Sequence, residues 1–378
     1  MKPLEGLRIV SVEVWGAGPY GSQLLAAHGA EVIKIENPAT GGDPARYVGP
    51  YRLGDADSQY FQGWNTNKKS VALDLKTPEG QRDFAELVKN SAAVMNNLRG
   101  DQPAKLGLDY ATLGRLNSAV VCVHLSAYGR DNERTAWPGY DFLMQAEAGL
   151  MSLTGEPAGP PARFGPSIID YMAGTTAMVG LLACLLSAQR TGKGCDVDVS
   201  LFDVALHQLG YSGTWYLNGG EAPSRLERSS HFSVAPVQTF PTADGWLYVM
   251  CMSDKFWLEL LQALELEALA ADARFADGNA RHRHRQELTA ALDPIFRRRT
   301  TAEWLERLAG VCPVAPVYDV AQALDSPFVA GSGMIRDVAH PKQDLRLLTS
   351  PIKIDGERAE LAAAPALGAD NARLLRSR

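Results

Sequence analysis

The stretch from Leu7 to Glu36, LRIVSVEVWGAGPYGSQLLAAHGAEVIKIE, decides the fold of the chain. It begins with a β-branched run over residues 7–14, continues through the turn GAGPYG at Gly16 to Gly21, and is then rich in alanine and leucine up to Gly29. A second strand is predicted over Glu31 to Ile35. Strand, glycine-rich turn, helix and strand in this order are typical of a βαβ unit with a parallel sheet.

The glycine-rich turn also matches the G-x-G-x-x-G pattern of a dinucleotide site, and Glu36 stands close to where such a site places its ribose-binding acid. Two features weaken the nicotinamide interpretation. Pro19 occupies the first helical turn, and Asn37-Pro38 follows Glu36 where a helix would be expected. Three interpretations stay open: an NAD(P)-binding oxidoreductase, a site for another nucleotide, and glycines that only allow a tight turn against the sheet.

The rest of the chain predicts an α/β protein. Further strand patterns at residues 71–75, 92–97, 120–125 and 195–201 alternate with helical patterns, which indicates a mainly parallel sheet with helices on both faces. From about Arg225 the pattern changes to antiparallel strands followed by helices. We therefore predict a large Rossmann-like domain over residues 1–224, a small α+β domain over 225–328, and a C-terminal segment, 329–378, that returns to the large domain.

Composition limits the classes of function. The chain has 378 residues, a net charge of −6 and a pI near 5.7, so we expect neither nucleic acid nor an anionic membrane as a partner. There is no signal-peptide pattern and no uninterrupted apolar run of membrane-spanning length, which predicts a cytoplasmic protein. The Arg/His run at 281–285 lies in a helical segment and is expected to form a solvated face, so no metal site is predicted.

One carboxylate stands out in the stretch GPSIIDYMAG, residues 165–174. Asp170 lies where an extended entry meets a long apolar helix, predicted over Tyr171 to Leu186, and we place it at the N-cap or in the first turn. It can be a simple helix cap. It can also be a nucleophile or a base that the helix dipole keeps ionised beside a desolvated pocket. The local sequence does not choose between these roles.

An ordered series of motifs covers nearly the whole chain. It comprises Gly18-Pro19 with GAEVIKIE (29–36), Gly42-Asp43 with Arg46, NKKSVALD (67–74), LGL (106–108), PGYD (138–141), Asp170 with Gly174, TGKG (191–194), Arg274-Phe275, Arg281 and PVAPV (313–317). Each motif alone is weak. Together the series resembles the family III (CaiB/BaiF-type) CoA-transferases, the group that includes formyl-CoA transferase, the carnitine CoA-transferase and α-methylacyl-CoA racemase.

The resemblance implies a reaction and an assembly. Asp170 would be the nucleophile that attacks an acyl-CoA thioester to form a mixed anhydride, after which CoA forms an enzyme thioester that an acceptor carboxylate resolves. The substrates would be an acyl-CoA and a small carboxylic acid, with CoA as substrate and product and no covalently bound cofactor. The family fold is an interlocked homodimer, so we expect this chain to form one as well.

The resemblance also implies where CoA binds, and it recasts the glycine-rich turn as an adenosine-diphosphate site without nicotinamide. The implied CoA-binding residues follow successive strands of the large domain: Ala17, Gly18, Leu73, Lys76, Asn97, Leu98, Arg99 and Lys105. Asn37 stands where many members of the family have Arg, so one adenine or phosphate contact differs here.

Two positions at which the sequence differs from members of the family indicate which reaction and which acids to expect. Racemase members carry His at the position of Tyr140, because exchanging a proton at the α-carbon requires a second base. We count Tyr140 as a catalytic candidate, but its phenol is too weak an acid-base partner near neutral pH, so transferase is favoured over racemase. Formyl-CoA transferases carry Gln at the position of Gly16, which argues against formate and oxalate. Trp15, Tyr140 and Trp64 are expected either to line a pocket for a larger or aromatic acid or to pack against neighbours.

Overall fold

The computed structural model describes residues 1–375, and their contacts group into two compact units. The large unit comprises Met1–Leu150, Phe164–Gly210 and the chain from Pro327 onward. The small unit comprises Met151–Arg163 and Tyr211–Ser326. The domain ranges of 1–224, 225–328 and 329–378 stay a prediction, and the last three residues of the third range lie outside the described residues.

A six-stranded sheet forms the centre of the large unit. Its strands are β1 (Arg8–Val12), β2 (Glu31–Glu36), β3 (Lys69–Ala72), β4 (Ala93–Asn96), β5 (Val121–Ser126) and β6 (Cys195–Ser200). Every pair is parallel, in the order β3-β2-β1-β4-β5-β6, with Val10 of β1 in register with Ile33 and Val94. The prediction of an α/β fold with a parallel sheet is confirmed. This strand order is the one found in sheets that bind nucleotides where the order reverses.

Helices cover both faces of this sheet. They are α1 (Ala17–Ala27), α2 (Gln59–Asn65), α3 (Pro78–Lys89), α4 (Tyr110–Leu113), α5 (Asp141–Glu147), α6 (Ile168–Thr191) and α7 (Leu201–His207). Neighbouring strand residues point to opposite faces, so Ile9 packs in one core with α1 and α6, whereas Val10 packs in the other with α3. Because both faces are covered, β4 and β5 are buried along their whole length, whereas the edge strand β6 exposes Asp196 and Asp198.

Two glycines bring α1 and α6 into direct backbone contact. A Cβ atom on Gly174 would lie 2.4 Å from the carbonyl oxygen of Ala17, and one on Gly21 would lie 2.7 Å from the carbonyl oxygen of Gly174. No side chain fits at either position. The N-terminal turns of the two helices therefore lie side by side, which places Asp170 next to the glycine-rich turn.

Helix α6 departs from one expectation. It has 24 residues, and its most apolar 18-residue window has a mean hydropathy of 1.6 with 39% of that window buried, so by length and composition it is a candidate membrane span. We expected no such segment. Ala177 and Leu181 of this helix are buried against the sheet, as in the core helix of a globular protein, whereas Val179 and Leu186 are 64% and 63% exposed. That the protein has no membrane partner stays a prediction.

The small unit combines an antiparallel sheet with helices. Its strands are β7 (Val237–Pro241), β8 (Trp246–Met250) and β9 (Val314–Pro316). Its helices are α8 (Gly210–Gly219), α9 (Asp254–Leu264), α10 (Gly278–Arg283), α11 (Arg285–Phe296), α12 (Thr301–Leu308) and α13 (Val320–Leu324). Phe240 stacks on Phe296 at 4.7 Å in the core. Arg281, which was expected on a solvated face, is 1% exposed and donates to Asp254.

The C-terminal segment returns to the large unit and covers an edge of its sheet. Its elements are α14 (Pro327–Ser332), β10 (Ile335–Val338), β11 (Leu345–Leu348), β12 (Lys353–Ile354), β13 (Glu357–Arg358) and α15 (Asn371–Leu374). The Asp370 and Asn371 side chains accept the N–H groups of Ser70 and Ala72 on β3. They thereby satisfy backbone donors that an open edge strand would leave unpaired.

Candidate active site

A cleft of about 430 Å³ lies at the carboxyl edge of the sheet, where β1 and β4 are neighbours and the strand order reverses. Its lining includes five segments: the turn from Val14 to Ala17, residues 97–99 after β4, residues 125–127 at the end of β5, the start of α5 with Tyr140, and the start of α6 with Asp170. Parallel strands bring these distant segments together because all their carboxyl ends meet at one edge.

A second cavity, of about 350 Å³, lies at the carboxyl ends of β1, β2 and β3. Its walls are mostly apolar and include Ile35, Leu73 and Leu106, with Lys76 among the lining residues. We call it the apolar pocket. Val14 and Leu98 line both the apolar pocket and the cleft. The two cavities therefore lie next to each other and share a wall, and Asp170 lines the cleft on its side of that wall.

Asp170 is the third residue of α6, in the first turn as predicted, while Ser167 occupies the N-cap position. The cap comes from a different helix. Oδ2 of Asp141, at the start of α5, accepts the N–H groups of Ile169 at 2.5 Å and of Asp170 at 3.0 Å. On the other side, a Cβ atom on Gly16 would lie 2.7 Å from Oδ2 of Asp170. The Asp170 carboxylate thus lies directly against the glycine-rich turn.

The ionisation of Asp170 differs from the expectation. Burial, and then the nearby Asp141 carboxylate, raise the pKa of Asp170 from its ordinary value of 3.8 to about 7. The prediction that the helix start simply keeps this group ionised was wrong, because desolvation and a like charge favour the protonated form. A carboxyl with a raised pKa in a cleft is typical of a catalytic group, and its ionised form is poorly solvated.

The aromatic candidates separate into two groups. Tyr140 occupies the N-cap position of α5, is 57% exposed, and contacts Trp15 edge-to-face with ring centroids 6.4 Å apart. Both residues line the cleft. Trp64 lines neither cavity and packs against Tyr20 at 5.7 Å and Tyr171 at 5.0 Å. Of the two expected roles, Trp64 therefore has the second: it packs against neighbouring side chains and does not line a pocket for the acid.

Most of the implied CoA-binding residues line one of the two cavities. Ala17, Asn97, Leu98 and Arg99 line the cleft, and Leu73, Lys76 and Leu98 line the apolar pocket. The Asn97 side chain also holds the turn: its Oδ1 accepts the Val14 N–H at 2.9 Å, and its Nδ2 donates to the Val14 carbonyl at 2.6 Å. Asn97 thus fixes the wall that the two cavities share.

Gly18 and Lys105 line neither cavity. A Cβ atom on Gly18 would lie 3.0 Å from the Asn97 side chain and 3.1 Å from that of Glu13, so this glycine allows close packing. The Lys105 ammonium is exposed and pairs with Asp101 at 2.6 Å. Arg99 also pairs with Asp101, at 3.4 Å.

Sequence reasoning missed the cap that Asp141 provides. The residue belongs to the PGYD motif, but its backbone partners lie 28 and 29 residues further along the chain. No local spacing shows such a contact. Sequence reasoning also missed the role of Asp43, which accepts the Trp15 N–H. Two sequence signals pointed to it: Asp43 belongs to the Gly42-Asp43 motif, and the charged residues Glu13 and Lys34 stand next to β-branched strand residues.

The fold is an α/β fold with a cleft at the carboxyl edge of its parallel sheet, and the Asp170 carboxyl group lies in that cleft. The chain belongs to the CoA-transferase family III, whose family model matches residues 4–371. This confirms the resemblance seen in the sequence. The protein is accordingly a CoA-transferase, and the racemase and NAD(P) oxidoreductase alternatives gain no support.

Three comparisons illustrate the relationship. The chain is 33% identical to the succinate–glutarate CoA-transferase of Agrobacterium fabrum, over 89% of this chain and 85% of that protein. It is also 33% identical to the acetyl-CoA:oxalate CoA-transferase of Acetobacter aceti, over 98% and 95% of the two chains. Among solved structures, a CaiB/BaiF family protein from Brucella suis is 32% identical and superposes with a TM-score of 0.85, covering 98% of this chain and 97% of that one.

Proposed function

We propose that Asp170 is the covalent nucleophile of the transfer reaction. The observation that carries this proposal is the position of its carboxylate, which lies in the cleft and against the Gly16 backbone. The carboxylate attacks the thioester carbonyl, the C–S bond breaks, and CoA leaves as a thiolate. The thiolate then attacks the aspartyl carbonyl of the anhydride, which releases the donor acid and leaves CoA as an enzyme thioester.

The second half of the reaction reverses these steps with a new acid. The acceptor carboxylate attacks the enzyme thioester and forms an anhydride with Asp170, and CoA thiolate leaves. The thiolate then attacks the acceptor's acyl carbon, which gives the new acyl-CoA and regenerates the Asp170 carboxylate. Atoms balance without water or a further reactant. Because the Asp170 carbonyl is held as an anhydride or a thioester in every intermediate, the energy of the donor thioester is conserved.

The start of α1 supplies the partner for the oxyanion that each step forms. The helix begins at Ala17 with Gly16 as its N-cap, and this residue has no side chain that could cap the first N–H groups. Such groups carry partial positive charge and have no acceptor within the helix. Donors of this kind, held in place before the reaction, stabilise a developing oxyanion by about 3 kcal/mol.

In this proposal CoA lies along the two cavities. The adenine occupies the apolar pocket with Leu73, the pantetheine passes Val14 and Leu98, and the thioester reaches Asp170. Lys76 is exposed at the apolar pocket and suits a phosphate. Lys105 lies outside both cavities, so it can meet a phosphate only beyond the apolar pocket and after exchanging its Asp101 partner.

The names of the relatives indicate the class of acid. They include transferases for succinate and glutarate, for oxalate, and for mesaconate in Haloarcula hispanica. We therefore infer a short dicarboxylic acid as acceptor and succinyl-CoA as a donor. The argument from Gly16 against formate and oxalate stays a prediction. The proposed working form is a cytoplasmic homodimer that contacts neither membrane nor nucleic acid.

The experiment compares Asp170→Asn with Asp203→Asn. Asp203 is the third residue of α7, as Asp170 is of α6, but it is exposed and lines neither cavity. We expect Asp170→Asn to lower kcat about 10³-fold or more while CoA still binds, and Asp203→Asn to retain activity. Mass spectrometry should detect a CoA adduct on the peptide with Asp170 in the parent enzyme incubated with succinyl-CoA. A transfer-competent Asp170→Asn variant would disprove the role.

A panel of acids tests the substrate class. Glutarate, mesaconate, oxalate, formate and an aromatic acid are each supplied with succinyl-CoA, succinate is supplied with acetyl-CoA, and new thioesters are detected by mass. We expect the dicarboxylic acids of four or five carbons to give the highest kcat/KM. Preference for the aromatic acid would instead assign Trp15 and Tyr140 to an aromatic pocket.

A further inference from the structure

Four charged side chains are buried beneath the turn that carries Gly16. Glu13, Lys34, Asp43 and Lys68 are each at most 5% exposed. Lys34 Nζ lies 2.8 Å from Oδ2 of Asp43 and 3.9 Å from Oε1 of Glu13, and Lys68 Nζ lies 2.7 Å from the same Glu13 oxygen. We call this group the buried ion cluster. Two ammonium groups balance two carboxylates, which buried charges require.

The buried ion cluster is bonded to the turn and to the start of α1. Lys34 Nζ donates to the Glu13 carbonyl at 2.9 Å, and Asp43 Oδ1 accepts the Trp15 N–H at 3.1 Å. Lys68 Nζ donates to the Pro19 carbonyl at 2.9 Å. Charged side chains therefore hold the backbone from the end of β1 into the first turn of α1.

The held turn contains a backbone conformation that needs support. Trp15 has a φ of 65°, in the left-handed region that bulky residues rarely adopt. Such a conformation persists where surrounding contacts fix it, and it occurs often at functional sites. The next residue is Gly16, whose Cα faces the Asp170 carboxylate. The φ angle of Trp15 thus decides where the N-terminus of α1 stands relative to Asp170.

The two carboxylate oxygens of Asp43 have different partners: one accepts backbone N–H groups and the other faces Lys34. Oδ1 accepts the N–H groups of Trp15 and, at 2.9 Å, of Ala45, while Oδ2 faces the Lys34 ammonium. Burial lowers the pKa of Lys34, but the Asp43 and Glu13 carboxylates outweigh this effect and hold it above its ordinary value. Lys34 therefore remains a cation that fixes Asp43 in place.

We propose that Asp43 is a positioning residue for CoA transfer: by accepting the Trp15 N–H while Lys34 holds it, Asp43 keeps the Trp15–Gly16 turn against Asp170. Asp43 touches neither the thioester nor the acid. It acts through the backbone, since it fixes the N–H groups of α1 at the distance from Asp170 at which the oxyanion forms. The inference rests on the proposed role of Asp170.

The test compares Asp43→Ala and Asp43→Asn with Val88→Ala. Val88 is fully buried in α3 away from the turn, so its truncation destabilises the large unit without touching the buried ion cluster. We expect Asp43→Ala to lower kcat about 10²-fold with KM for succinyl-CoA changed less than about threefold. Asp43→Asn retains an amide oxygen for the Trp15 N–H and should recover about tenfold of that loss. Val88→Ala should keep the parent kcat.

Each outcome decides the proposal. A parent-like kcat in Asp43→Ala would overturn the proposal. A raised KM with unchanged kcat would also overturn it, because Asp43 borders the apolar pocket and its loss would then have weakened only substrate binding. If Asp43→Ala does not fold, Asp43→Asn carries the test alone: kcat within twofold of the parent overturns the proposal, and a selective fall in kcat supports it. Asp170→Asn separates the two claims. Should that variant stay active, the nucleophile assignment fails, whatever the Asp43 variants show.

Discussion

On the proposed role of Asp170 as the nucleophile, the surroundings of its carboxyl group predict how transfer depends on pH. Only the ionised carboxylate attacks a thioester, and burial with Asp141 raises the pKa of this group to about 7. We predict that kcat rises with pH, changes about tenfold per pH unit below pH 7, and levels off above it. Transfer assays between pH 5 and 9 measure this profile. A flat profile across that range would contradict the assignment.

Asp141→Asn tests whether the Asp141 charge contributes to the raised pKa of Asp170. The amide oxygen of Asn can still accept the Ile169 and Asp170 N–H groups, but the like charge beside Asp170 is gone. The midpoint of the kcat profile should therefore move to lower pH, while Asp203→Asn leaves it unchanged. An unchanged midpoint in Asp141→Asn would mean that burial alone raises the pKa.

The same shift predicts how stability depends on pH. The pKa of Asp170 lies above its ordinary value of 3.8 in the folded protein, so folding is favoured by the protonated form and this contribution is lost as pH rises through about 7. Asn cannot ionise. We expect Asp170→Asn to match the parent near pH 4 and to exceed its free energy of unfolding at pH 8 by about 1–2 kcal/mol, because the pocket leaves the carboxylate partly solvated. Urea unfolding at both pH values measures the difference, and equal stability at pH 8 would contradict it.

At the scale of helices, the contact between α1 and α6 determines the geometry of the site. Alanine at Gly174 would place Cβ 2.4 Å from the Ala17 carbonyl oxygen, and backbone cannot rotate away as a side chain can. We predict that Gly174→Ala forces the helices apart, lowers the free energy of unfolding by about 1–3 kcal/mol, and lowers kcat about 10²-fold. Steady-state kinetics and thermal unfolding measure both effects.

Gly63→Ala is the control for that substitution. Gly63 also lies within a helix, α2, but a Cβ atom there would meet nothing within 4 Å. Alanine at this position should stabilise the helix by about 0.5–1 kcal/mol and leave kcat unchanged. If Gly174→Ala behaves like Gly63→Ala, the close approach of the two helices is not what places Asp170.

The elements of the sheet were predictable, because apolar runs between glycine turns define buried parallel strands. The cap on α6 was not, since Asp141 reaches it only after the chain has folded. The buried ion cluster was partly predictable from the sequence. Lys34 is a charged residue in the strand EVIKIE, between the buried residues Ile33 and Ile35. Such a residue must have a partner, but the sequence does not say which carboxylates come near it.

At the scale of the whole molecule, the order of the strands explains why most site residues could be predicted only from the family resemblance and not from local sequence patterns. Residues 14–17, 97–99, 140 and 170 line one cleft although up to 156 positions separate them (170 − 14 = 156). The βαβ pattern predicts that they share the carboxyl edge of a sheet. It does not predict the strand order, which decides which of them meet.

The exposed face of α6 connects the molecule to its proposed assembly. Val179 and Leu186 lie seven residues apart, on one face of the helix, and are 64% and 63% exposed. The homodimer that the family resemblance implies would bury such a face. We predict a homodimer in detergent-free buffer, detected by sedimentation or light scattering at micromolar concentration. Val179→Glu with Leu186→Glu should weaken it, whereas Lys193→Glu, on an exposed residue just after α6, should not. A monomeric parent protein, or one recovered only with membranes, would contradict this assembly.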